Sequence, residues 1–90
     1  MRSDEIPQQG SAYDVIAAAR PEFLRPRAGT FGQPVLPAAY LDGVQLAELD
    51  MLRLVLAAWV LEIRYLRAPI ASARLRRNLE AGAILVTTKR

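Results

Sequence analysis

A change of hydrophobic period near residue 60 constrains this chain more than any other feature. Before it, Leu49, Leu52, Val55, Leu56 and Trp59 recur at three and four residues, with Glu48, Asp50 and Arg53 opposite. That pattern predicts an amphipathic helix over residues 48–59, its apolar side chains packed in the core. After it, Leu61, Ile63 and Tyr65 alternate with Glu62 and Arg64, the period of a half-buried strand. Ala68-Pro69 breaks the strand. Pro69 suits a first helical turn, where its missing N–H costs nothing, and helix formers run through residues 70–79. Ala71, Leu75 and Leu79 share one face, and Arg74 and Arg77 lie away from it. Gly82 should end the helix. Residues 83–88 are apolar at nearly every position, as in a central strand covered on both faces.

The first half reads more loosely. Residues 1–10 are polar, contain Pro7 and Gly10, and are expected to be a flexible lead-in to a single domain over residues 11–90. Ser11 and Asp14 have the spacing of a capping box for a helix over residues 12–20. Pro21 interrupts that helix, residues 22–24 give one further turn, and proline and glycine mark residues 25–32 as a loop. Asp42-Gly43, flanked by apolar residues, signals a tight hairpin turn between strands at residues 38–41 and 44–46. Pro37 belongs at a strand start or an edge. The order is helix, hairpin, helix, strand, helix, strand. The expected fold class is therefore α+β, a small mixed sheet of about four strands with two to three helices packed on it.

Composition narrows the chemistry. Ninety residues, 52% of them apolar, suffice for one small core. The chain has no cysteine and no histidine, which excludes thiol nucleophiles, disulfides, zinc fingers and histidine metal sites. The longest apolar run, residues 54–61, is far short of the ~20 residues that cross a bilayer. Residues 1–10 lack the apolar core of a signal peptide, so no leader is visible and a cytoplasmic location stays open. Net charge is +3, a weak attraction for anionic partners.

Candidate site residues are few. Asp42 and Gly43 read as a structural turn. Arg74, Arg76 and Arg77 form the densest positive patch, with Arg64 and Arg67 near, and are the candidate contact for an anion or a partner; a solvated helix face is the plainer reading. Glu62 and Glu80 have no accompanying base or nucleophile and read as surface. No catalytic, cofactor or metal residue is expected.

The phrases AAYLDGVQL (residues 38–46), EIRYLRAPIASARL (62–75) and GAILVTTKR (82–90) resemble the plug domain of TonB-dependent outer-membrane receptors. There a strand ends in a DGV turn, and an acidic-Ile-aromatic-Leu strand, an SA helix and a closing strand follow in that order. Residues 11–27, SAYDVIAAARPEFLRPR, resemble the helix that opens such domains. Residues 75–80 (LRRNLE) depart from the glycine-rich stretch usual before the last strand, and no TonB-contacting segment is recognisable. The resemblance implies a plug-like fold and a non-enzymatic module of the cell envelope, periplasmic or at the outer membrane, acting through protein contacts. Transport would need a many-stranded barrel, which these residues do not contain. The alternative is a small cytoplasmic nucleic-acid-associated protein using the arginine-bearing helix, although no binding motif supports it. An exposed strand edge or the leucine-rich segment offers a route to a homo-oligomer.

Overall fold

A computed structural model describes residues 1–29, 31–77 and 79–89. Its centre is a four-stranded mixed sheet. β3 (Ala38–Leu41) and β4 (Val44–Gln45) form an antiparallel hairpin, β5 spans Val60–Leu66, and β6 spans Ala83–Thr88. The spatial order is β4-β3-β6-β5, with β6 parallel to β3 and antiparallel to β5. The fold is therefore α+β, and β6 is an interior strand, in keeping with the apolar run at 83–86.

Side-chain alternation divides the sheet into two faces. Ala39, Ile63, Ile84 and Val86 point into the larger core, which also takes in Ile6, Leu49, Leu52, Val55 and α1 (Ala12–Ala19) through Ala12, Val15 and Ile16. Tyr40, Leu66 and Ala83 point to the other face and pack beneath Leu79 and Ala71 of α2, Ala68–Leu75. Between Val60 and Glu62 the register slips by one residue. That bulge sends Val60 into the larger core, at 1% exposure, while Leu61 is 46% exposed.

α1 begins as its sequence indicates. Ser11 Oγ accepts from the Asp14 N–H at 3.2 Å, and Asp14 Oδ2 accepts from the Ser11 N–H at 3.0 Å. The backbone N–H of Ser11 and then its hydroxyl hold the Asp14 carboxyl below its ordinary value. A 3-10 turn, Pro21–Leu24, follows. Phe23 stacks on Tyr65 with ring centroids 5.0 Å apart.

Four expectations are corrected. Residues 48–59 are not an α-helix: they form 3-10 turns at Leu49–Leu54 and Ala57–Trp59, joined by an extended step. Leu49, Leu52 and Val55 repeat every third residue, which serves the three-residue turn of a 3-10 helix as well as an α-helix. Pairing with the start of α1 decides the matter, since Ala12 N–H donates to Val55 O at 2.7 Å and Ala57 N–H to Gly10 O at 2.9 Å. Second, the chain before residue 11 is held rather than loose. Ile63 N–H donates to Met1 O at 2.7 Å, Arg2 bridges to Glu62, and Ile6 is 5% exposed. Third, part of the expected loop is a small antiparallel ribbon, β1 (Arg27–Ala28) with β2 (Pro34–Val35). Fourth, α2 stops at Leu75, where Arg76 turns left-handed with φ 55°. Leu79 then returns to the core, its N–H donating to Ser72 Oγ at 3.0 Å, and Gly82 leads into β6 instead of capping a helix.

Candidate functional site

Asp42 and Gly43 join β3 to β4 with φ 50° and 85°, the double positive φ of a type I′ turn, which matches the twist of the flanking strands. Asp42 also reaches sideways. Its carboxylate oxygens accept from the Thr88 N–H at 2.8 Å and from the Thr88 hydroxyl. The turn thus fastens the hairpin to the end of β6 as well as reversing the chain.

This corner of the sheet carries exposed apolar surface. Val44 is 66% exposed, Leu54 74% and Trp59 53%. Leu54 and Trp59 line a groove of about 400 Å³ with Leu41, Leu46, Met51, Asp42, Thr88 and Lys89, and Val44 lines a neighbouring hollow that shares Leu41 and Leu46. The expected core packing of the apolar side chains of residues 48–59 holds for Leu49, Leu52, Val55 and Ala57 and fails for Leu54, Leu56 and Trp59. Across the extended step at Val55 and Leu56, exposed Leu54 and Leu56 alternate with buried Val55 and Ala57, and four consecutive apolar residues give no sequence signal of which ones face out.

A second cleft, of about 540 Å³, shares Leu46 with the groove and lies along the start of β3. Leu36, Pro37, Gln45 and Ala47 line it with three carboxylates, Glu48, Asp50 and Glu80. Asp50 pairs with Arg53 at 3.5 Å, and the Arg53 guanidinium lies 3.9 Å from the centre of the Tyr13 ring.

The arginines are arranged differently. Arg74 lies on α2 and lines a shallow cleft of about 180 Å³ with Glu62, Arg64 and Leu85. Arg76 and Arg77 lie beyond the helix end, exposed. The three therefore do not form one continuous helical face. Arg64 pairs with Glu62 at 3.3 Å, and Arg67 is the exposed N-cap of α2. Glu62 and Glu80 line separate clefts and do not form an acid–base couple. Among the described residues no cluster of acidic side chains is placed to hold a metal ion, and no helix is long and apolar enough to cross a membrane.

No family model, curated protein or solved structure matches the chain.

Proposed function

We propose that this chain is a non-enzymatic, plug-like module of the bacterial cell envelope that acts through protein contacts. In this reading it is related to the plug of TonB-dependent outer-membrane receptors. One observation carries the reading. The phrases at residues 38–46, 62–75 and 82–90 are separated by residues 47–61 and 76–81, and their strands lie side by side in a single sheet. The DGV phrase makes the hairpin turn, the SA phrase lies on the helix beneath the sheet, and the closing phrase forms its interior strand. The apolar groove beside the hairpin supports action through contacts, because exposed apolar patches on small domains mark interaction surfaces.

Fractionation of the bacterium that encodes the chain, with antibody detection, tests the reading. The chain is expected with the envelope, and in-cell crosslinking is expected to join it to an envelope protein. Recovery in the soluble cytoplasmic fraction, with salt-sensitive retention on immobilised nucleic acid, would overturn it in favour of the arginine-based alternative.

A further inference from the structure

The far side of β4 is an open strand edge. Leu46 N–H donates to Ala39 O at 2.8 Å, and Leu41 lies opposite Val44 across the turn. Those two rungs are hydrogen-bonded, so the rung between them, Tyr40 opposite Gln45, is not. The N–H and C=O of Tyr40 point toward β6, and those of Gln45 point away from the sheet. Such an edge is a template for another strand.

Shape and charge accompany the edge. Toward the turn lies the groove of Leu41, Leu46, Leu54 and Trp59, next to a hollow lined by Val44. Toward the start of β3 lies the cleft of Glu48, Asp50 and Glu80; Asp50 is paired with Arg53, and Glu48 is an exposed carboxylate there. We propose that this edge takes up an extended segment of a protein partner through the N–H and C=O of Gln45. An apolar side chain of that segment seats in the Trp59 groove, and a lysine or arginine enters the acidic cleft. Backbone hydrogen bonds hold the segment, and the two flanking recesses select it. A second copy of the chain fits poorly. Pairing two edges about Gln45 sets Asp42 of each chain opposite Glu48 of the other, and like charges facing across strands repel.

The proposal rests on the reading that the chain acts through protein contacts. Its test uses purified protein, so its failure leaves the fractionation result standing. Trp59 is the single tryptophan and reports from the groove. The chain is titrated with a synthetic peptide of alternating valine and threonine ending in two arginines, and with the same peptide ending in two glutamates. The arginine peptide should shift Trp59 emission to shorter wavelength with saturation, and the glutamate peptide should bind at least about tenfold more weakly. Gln45→Pro removes an outward N–H that no strand of the sheet uses, and should weaken binding by a similar factor. Glu48→Lys with Asp50→Lys, both at the surface, should reverse the preference between peptides and keeps the test decisive if the proline variant misfolds. A titration without saturation at millimolar peptide overturns the proposal, as does equal affinity for the two peptides or undiminished binding by a folded Gln45→Pro chain. A free chain that sediments as a dimer, and dissociates on that substitution, assigns the edge to a second copy instead.

Discussion

Gly82 sits where β6 begins, with φ 83°, and the chain passes close to β5 at that point. A Cβ on residue 82 would press on the carbonyl oxygen of Leu66 and stand 2.6 Å from the Tyr65 hydroxyl. The Leu66 oxygen is backbone and cannot swing aside. The Tyr65 hydroxyl already donates to Ala81 O at 2.8 Å. Gly82→Ala therefore adds the left-handed penalty of an L-residue, about 1–2 kcal/mol, to an overpacking cost of about 1–3 kcal/mol. Displacing the Tyr65 hydrogen bond adds about 1 kcal/mol. The sum, roughly 3–6 kcal/mol, is a large part of the roughly 5–13 kcal/mol expected for a domain of this length. Gly43 provides the control. Its φ is 85°, but nothing lies within 4 Å of where a Cβ would be, so Gly43→Ala should incur the left-handed term alone, about 1–2 kcal/mol. In thermal denaturation Gly82→Ala should melt at least about 10 °C below Gly43→Ala. Equal melting temperatures for the two variants would refute the argument from close approach.

Five further outcomes are expected. Ile63 is fully buried, and Ile63→Ala should lower stability by about 2–5 kcal/mol in urea titrations. The Tyr40 hydroxyl is buried with no hydrogen-bond partner among the described residues, so Tyr40→Phe should leave the urea midpoint unchanged or raise stability by up to about 1 kcal/mol; a clear loss would refute this. Ser11→Ala should cost about 1 kcal/mol through the lost helix cap. The folded carboxyl of Asp14 lies below its ordinary value of 3.8, so its contribution is complete above that pH and disappears as pH falls through the folded value; Asp14→Asn should flatten the acid limb of a stability–pH curve. Replacing Arg74, Arg76 and Arg77 together by alanine should not alter retention on a nucleic-acid column, and a marked loss would revive the nucleic-acid alternative.

The elements that could be read from the sequence are those fixed by local chemistry. Asp42-Gly43 admits a primed turn at little strain, Ser11 and Asp14 satisfy each other's N–H groups, and the run of residues 83–88 suits burial on both faces. The elements that could not be read depend on distant partners. Residues 48–59 carry an apolar spacing compatible with two helix types, and the choice is made by backbone pairing of residues 55–57 with residues 10–12. Residues 1–6 look like a tail because one apolar side chain, Ile6, and a backbone rung on β5 hold them, and neither leaves a periodic trace. The arginine patch looked continuous in sequence, yet the left-handed residue at Arg76 breaks the helix that would have aligned it. The open edge at Gln45 was invisible for a related reason: a strand's place in the sheet order follows from topology, not from its own residues.

The parallel pairing of β3 with β6 has a consequence for how the molecule is made. Ala38 lies beside Ala83, so the two inner strands are joined by a chain segment of 83 − 38 = 45 positions. During synthesis on the ribosome, β3 and β5 emerge with nothing between them, their inner backbone groups turned to water. The sheet must wait until residues 83–88 clear the exit tunnel. High contact order of this kind slows folding, and a nascent chain stalled before that point should remain open to proteases along the segments that later become its interior.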